Sequence, residues 1–115
     1  MPNLNLASRA YAAATVNRTA RQQEADIFRL ITARLQAARQ GAAIQRVRAL
    51  ADNRRLWTTV SDLLRDGNNP LPPATRAGLV SIGLTVQREM DADEPNFDFL
   101  ITINKHIAEG LSGNP

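Results

Sequence analysis

The sequence predicts an all-α fold, a small bundle of about four helices with a weakly ordered N-terminal arm. Of the 115 residues, 43% are hydrophobic but only 4% are aromatic, so the core must consist largely of aliphatic side chains and alanine. Such a core suits packed helices. Apolar residues recur at helical spacing, and no run of β-branched and aromatic residues alternates with polar ones. The length fits a single domain.

We expect the chain to have two parts, an N-terminal arm, residues 1–17, and a helical bundle domain, residues 18–115. Thr19 followed by Gln22 fits a capping box, so we expect a first helix from there to about Arg39. Gly41 suits the position after a helix end. At 100° per residue, several apolar side chains lie on one face of this helix. They are Ala20, Ile27, Phe28, Ile31, Leu35 and Ala38.

The second helix is predicted from Ala43 to about Arg65 and carries the only tryptophan. Its apolar residues fall within one broad arc, whose members are Ala49, Leu50, Leu56, Trp57, Val60, Leu63 and Leu64. A Gly-Asn-Asn-Pro sequence at residues 67–70 ends this helix. Glycine and asparagine tolerate a positive φ at a helix end, and proline cannot continue a helix.

The third helix, Pro73 to Met90, begins with a proline at a position where the missing N–H costs nothing. It carries two apolar stripes on roughly opposite sides. One stripe consists of Ala77, Val80 and Leu84, and the other of Leu79, Ile82, Val86 and Met90. A helix with two apolar faces is either central in the bundle or leaves one face for a partner. The sequence leaves both interpretations open.

The fourth helix is predicted from Phe97 to Leu111, with Asn96 as its N-cap. Asn104 lies at the centre of its apolar face, as Asn53 does on the second helix. A buried amide without partners costs a few kcal/mol. We therefore expect these amides to bond to each other or to nearby backbone and to fix the register. The alternative is that one of them contacts a bound partner.

Charge is distributed unevenly along the chain. Residues 1–55 hold 10 Lys/Arg against 3 Asp/Glu, and residues 56–115 hold 4 against 8. A basic half is compatible with nucleic-acid binding. However, the aromatic residues that stack on RNA bases are scarce, so solvated arginines are the simpler interpretation and direct nucleic-acid binding is not expected. No stretch approaches the roughly 20 apolar residues that span a bilayer. We expect a cytoplasmic protein without membrane insertion.

Patterns of catalytic and metal-binding residues are missing from the sequence. The chain has no cysteine and one histidine, His106, which has no second metal ligand and no nucleophile in a recognisable motif. Asp91, Asp93 and Glu94 lack the spacing of a calcium-binding loop. We therefore expect that the protein is not an enzyme and uses neither a metal nor a cofactor.

The order and spacing of several motifs resemble the FlaF family, flagellar biosynthesis regulators of alphaproteobacteria. The matching segments are NRRLWTTVSDLL at residues 53–64, NNPLPPATRAGLVSIGLTV at 68–86 and FDFLITINKHIAEGL at 97–111. Tyr11 and Glu24 with Ala25 fit the N-terminal part of the family. The resemblance covers roughly residues 8–111.

The resemblance implies an all-α protein that binds flagellin in the cytoplasm and keeps it export-competent, as a secretion chaperone does. It also implies a functional link to FlbT, which acts on flagellin messenger RNA. Such a chaperone needs an apolar groove for the amphipathic terminal helices of flagellin. We expect this groove at Leu79, Ile82, Val86 and Met90, with walls formed by Trp57 and Leu64.

Two further hypotheses concern the N-terminal half. Leu4, Leu6 and Tyr11 of the arm could cover the groove in the free protein. Alternatively, the protein is a post-transcriptional regulator of flagellin synthesis that contacts messenger RNA through its basic N-terminal half. That alternative predicts a steep dependence of RNA binding on salt.

Overall fold

The computed structural model describes the backbone of residues 2–111 and the side chains of residues 6–9 and 22–111. These residues form four α-helices and no strand, namely α1 (Pro2–Ala38), α2 (Ala43–Arg65), α3 (Pro73–Met90) and α4 (Phe97–Leu111). The all-α prediction is confirmed, and α2, α3 and α4 have the bounds that the sequence predicted. No helix in the described part of the chain is long and apolar enough to span a bilayer.

Helix α1 begins earlier than predicted. It starts at Pro2 and continues without interruption through Thr19, where a capping box was expected to start a helix. The residues before Thr19 are rich in alanine, which has the highest helix propensity, so the helix extends through them. The helix therefore includes residues assigned to the arm, and the division of the chain at residue 17 stays a prediction.

Asn69 shapes the connection between α2 and α3. Its amide nitrogen donates to the carbonyl of Leu63 at 2.9 Å, and its side-chain oxygen accepts from the N–H of Leu71 at 3.0 Å. Asp66 leaves the helix in an extended conformation, with φ −65° and ψ 129°. Neither Asp66 nor Gly67 has the positive φ expected at this helix end, and the carbonyl of Leu63 in the last turn accepts from both the N–H of Asp66 and the side chain of Asn69.

The N-terminus of α4 is capped as predicted. The side-chain oxygen of Asn96 accepts from the N–H of Phe99 at 3.1 Å. The carboxylate of Glu89, at the end of α3, accepts from the N–H of Asn96 at 3.2 Å. A side chain of α3 thus helps to position the start of α4.

Helix α1 packs against both α2 and α4, and α2 packs on its other side against α3. Helix α3 therefore lies at the edge of the bundle rather than at its centre. The core lies between the helices and contains Phe28, Leu35, Ala38, Ala49, Trp57, Val86, Met90, Phe97, Leu100, Ile101 and Ala108. The edge position excludes one of the two interpretations that the sequence left open, namely that α3 is central in the bundle.

Candidate functional site

The stripe that we predicted as a groove faces the core. Val86 is 0% and Met90 4% exposed, and Leu79 and Ile82 are half-buried. Val86 and Met90 belong to the hydrophobic core, and Ile82 packs against it. Val86 and Met90 would reach a partner only if α3 moved away from α2, and the role of all four residues in binding stays a prediction.

The two predicted walls of the groove are also buried. Trp57 is 0% and Leu64 5% exposed. The ring of Trp57 contacts Phe28 edge-on, with a centroid distance of 5.9 Å and an interplanar angle of 87°. On its other side lies Gly83, where an added Cβ would be 3.6 Å from the indole ring. Trp57 is thus the central contact of α2 with both α1 and α3.

A chain of buried hydrogen bonds connects α2, α4 and α3. The indole N–H of Trp57 donates to Oδ1 of Asn104 at 2.9 Å, and Nδ2 of Asn104 donates to Oδ1 of Asn53 at 2.7 Å. Nδ2 of Asn53 donates to the sulfur of Met90 at 3.3 Å. The predicted bond between the two asparagines is confirmed. Both are 0% exposed, so in the free chain neither contacts a partner.

The C-terminal end of α3 is held by Arg54 of α2. Its guanidinium donates to Asp91 at 2.7 Å and to the carbonyl of Met90 at 3.3 Å. A cation at this position also interacts favourably with the helix dipole. Together with the bond from Asn53 to Met90, these contacts fix which side of α3 faces inward.

The second apolar stripe of α3 faces outward. Ala77 is exposed, Val80 is half-buried and Leu84 is 47% exposed. Arg76 and Arg88 lie at the two ends of this stripe, and neither makes an ion pair with any described residue. We call the surface formed by Ala77, Val80, Leu84 and Arg88 the α3 outer face. Arg76, two turns before Gly83, borders this surface on the side of α2.

The relative register of α1 and α2 is fixed by two contacts. Arg34 forms an ion pair with Asp52 at 3.1 Å, and the rings of Phe28 and Trp57 meet about one and a half turns away. The two helices are therefore antiparallel, and residues 27–30 of α1 lie beside residues 56–60 of α2.

A second exposed apolar surface follows from this register. Ile27 and Leu30 are 51% and 52% exposed, and Leu63 is 55% exposed. We call this surface the α1–α2 seam; its members are Ile27, Leu30, Leu56, Val60 and Leu63. Ile27 and Leu63 were predicted on the apolar faces of their helices, but both are exposed and do not reach the core. Both lie at the margins of their arcs, and only the centres of the arcs reach the core.

Among the described residues, several arginines of the basic half are paired with acidic or aromatic side chains. Four of its arginines, Arg29, Arg34, Arg39 and Arg54, form ion pairs with carboxylates. Two of these pairs connect the basic half to the acidic half, because their acceptors are Asp98 and Asp91. Arg46 lies over the ring of Phe97, 4.9 Å from its centroid. Folding thus distributes much of the positive charge among acidic and aromatic neighbours.

The remaining candidates for catalysis or metal binding lie on the surface. His106, Asp93 and Glu94 are exposed, and no cluster of metal-ligating side chains occurs among the described residues. Leu6 is 62% exposed, so it does not cover an apolar groove in this structure. The side chains of Leu4 and Tyr11 lie outside the described residues.

Fold and surface define a small all-α protein whose edge helix buries one apolar stripe and exposes the other. The chain belongs to the FlaF family, because the model of that family, described as flagellar protein FlaF, matches residues 7–111. It is therefore a flagella-related protein, and the resemblance seen in the sequence is confirmed. No curated protein and no solved structure matches the chain.

Proposed function

We propose that the protein binds flagellin in the cytoplasm, keeps it export-competent as a secretion chaperone, and thereby supports and regulates flagellum assembly. Membership of the FlaF family supports a flagellar role. The observation that carries the proposal is the position of α3, which lies at the edge of the bundle with an apolar stripe exposed. A functional link to FlbT is part of the proposal.

The α3 outer face has the geometry that an amphipathic helix of flagellin would need. Ala77, Val80 and Leu84 follow the i, i+3, i+7 spacing by which two helices pack along their length. Docking would remove the apolar stripes of both helices from water, which is the main driving force of such association. This mode of action requires no catalytic group, metal or cofactor, and we propose that the protein is not an enzyme.

The residues that we first predicted as the groove give a second possible arrangement for the same function. In that arrangement α3 swings away from α2, and flagellin contacts Leu79, Ile82, Val86 and Met90 together with Trp57 and Leu64. It requires opening the core around Trp57 and breaking the contacts of Arg54 with the end of α3. The outer face requires no such opening, so we favour it.

The proposal can be tested by co-purification with unassembled flagellin. Leu84→Asp should abolish capture, because it places a charge in the middle of the docking stripe. Its far-UV circular dichroism and urea midpoint should stay close to those of the wild type, since Leu84 is outside the core. Val47→Asp is the matched control, because Val47 is 60% exposed on α2 and lies outside the α3 outer face.

Three results would contradict the proposal in different ways. Failure of the wild-type protein to capture flagellin would exclude the function itself. If Leu84→Asp still captures flagellin and a correctly folded Leu63→Asp variant does not, the binding site is the α1–α2 seam rather than the α3 outer face. Capture by Leu84→Asp together with new amide exchange around Trp57 in the complex would favour the opened arrangement.

Direct RNA binding is a weaker candidate than flagellin binding. Four arginines of the basic half are engaged in ion pairs, which leaves less positive charge available for phosphates. A gel-shift experiment at low salt with a flagellin leader transcript provides the test. A sequence-dependent shift by the purified protein would argue for the RNA hypothesis.

A further inference from the structure

The α3 outer face combines an exposed apolar stripe with unpaired positive charge. Between Gly67 and Arg88 the sequence contains no acidic residue, although the half of the chain to which this segment belongs has twice as many acidic as basic residues. Arg88 is exposed and Arg76 is half-buried. The outer face therefore has no acid of its own, and its apolar stripe lies between Arg76, on the side of α2, and Arg88, on the solvent side.

The acidic residues near α3 either bond to other groups or project away from α3. Glu89 accepts a hydrogen bond from the N–H of Asn96, and Asp91 is paired with Arg54. Asp66, at the end of α2, accepts from the N–H of Asn68. Asp62 is exposed on α2, but it follows Ser61, the residue opposite Gly83, and so projects about 100° away from α3. Neither arginine has an intramolecular ion pair within the described residues.

We infer that the α3 outer face docks an amphipathic helix whose apolar stripe is bordered by carboxylates, and that Arg76 and Arg88 select this helix. The inference rests on the proposed function only for the identity of the partner as a flagellin segment. A guanidinium matches a carboxylate in geometry and in charge, and forms strong charge-assisted hydrogen bonds with it. Complementary charges at the rim of an apolar contact mainly determine specificity and the association rate.

The spacing of the two arginines restricts the partner further. Arg88 lies 12 positions after Arg76, about 18 Å further along the axis and about 120° further around it. A helix packed along α3 should therefore carry its two acidic groups about 12 residues apart, on either side of three apolar turns. A polyanion such as RNA would meet the arginines but would leave the stripe of Ala77, Val80 and Leu84 exposed, so we favour a protein helix.

The expected preference for a helix with flanking carboxylates can be tested on the full-length protein with two synthetic helical peptides. Both peptides carry the same apolar stripe; one has glutamate and the other lysine at the flanking positions. We expect the glutamate peptide to bind at least roughly tenfold more tightly and to lose affinity as salt rises. Amide chemical shifts should change at the outward positions of residues 76–88.

Variants assign the effect to particular side chains. Arg88→Glu should lower the affinity for the glutamate peptide by roughly tenfold and raise the affinity for the lysine peptide. The matched control is Arg48→Glu, an exposed arginine of α2 without an ion pair to the described residues, which should change neither affinity much. Leu84→Ser should lower the affinity for both peptides, because it removes the apolar side chain at the centre of the stripe.

The outcomes separate this inference from the proposed function. If flagellin binds but Arg88→Glu behaves like Arg48→Glu, the inference is overturned and the function stands. If the glutamate peptide binds as expected but flagellin does not, the function is overturned and the inference stands. Equal shifts at residues 76–88 with an RNA oligonucleotide, or no loss with Leu84→Ser, would also overturn the inference.

Discussion

The two faces of α3 are similar in composition but differ in what they contact. Val86 on the inner face is 0% exposed, whereas Leu84, two residues earlier on the outer face, is 47% exposed. The inner face contains Gly83, which packs against α2: a Cβ at this position would be in ordinary van der Waals contact with Ser61 at 3.5 Å and with Trp57 at 3.6 Å. The comparison shows that packing against α2, which apolar content alone does not specify, distinguishes the core stripe from the exposed one.

The largest expected effect is the difference in stability between a variant with a charge on the inner face of α3 and a variant with a charge on the outer face. Val86→Asp should unfold the bundle, because a buried charge without a partner costs several kcal/mol, a large part of the total stability of a small domain. Leu84→Asp should change the free energy of unfolding by no more than about 0.5 kcal/mol. Urea titrations followed by far-UV circular dichroism measure both. Equal destabilisation would show that the two faces do not differ as the structure indicates.

Trp57→Ala tests how far the inner face depends on one side chain. We expect a loss of about 3–5 kcal/mol, because the substitution removes the contact with Phe28 and leaves a cavity opposite Gly83. It also deprives Asn104 of its indole donor. Chemical denaturation gives the value, and Leu63→Ala, on the exposed seam, serves as the control. A loss below about 1 kcal/mol would contradict a central role for Trp57.

The hydrogen-bond chain behind the inner face should show coupling between its two amides. Asn104→Leu should cost about 2–4 kcal/mol, because it leaves the indole N–H of Trp57 and the oxygen of Asn53 without partners. Asn53→Leu combined with Asn104→Leu should cost less than the sum of the single substitutions, since the orphaned amide oxygen is removed as well. A double-mutant cycle measures the coupling. Strict additivity would mean that the bond between the amides contributes nothing specific.

The smallest expected effect concerns the two glycines of α3. Gly78→Ala should stabilise the protein by about 1 kcal/mol, because the new methyl group meets open space and alanine favours helix. Gly83→Ala should gain at least as much, since its methyl group would also make ordinary van der Waals contact with Ser61 at 3.5 Å and with Trp57 at 3.6 Å. Thermal melts should detect both gains, because 1 kcal/mol corresponds to about 4 °C for a domain of this size. A loss of stability with Gly83→Ala would indicate that α2 and α3 pack more tightly there than the structure shows.

Local signals in the sequence were sufficient for much of the fold. The bounds of α2, α3 and α4 could be predicted because prolines, glycines and asparagines mark their ends through short-range backbone chemistry. The cap at Asn96 and the pairing of Asn53 with Asn104 followed from the same kind of reasoning. The start of α1 could not be predicted in this way, because an alanine-rich segment continues a helix past a weak capping signal.

For the candidate site, the sequence determined that α3 has two apolar stripes and that the chain carries the FlaF pattern. Tertiary structure alone decided that α3 lies at the edge of the bundle and that the stripe with Val86 and Met90 is the inner one. It also decided that four arginines of the basic half would be paired with acids. The physical reason is that periodicity defines the faces of a helix, whereas the choice between them depends on how closely another helix can approach each face. That approach depends on residues distant in sequence, here Trp57 and Asn53 of α2 against Gly83 and Met90 of α3.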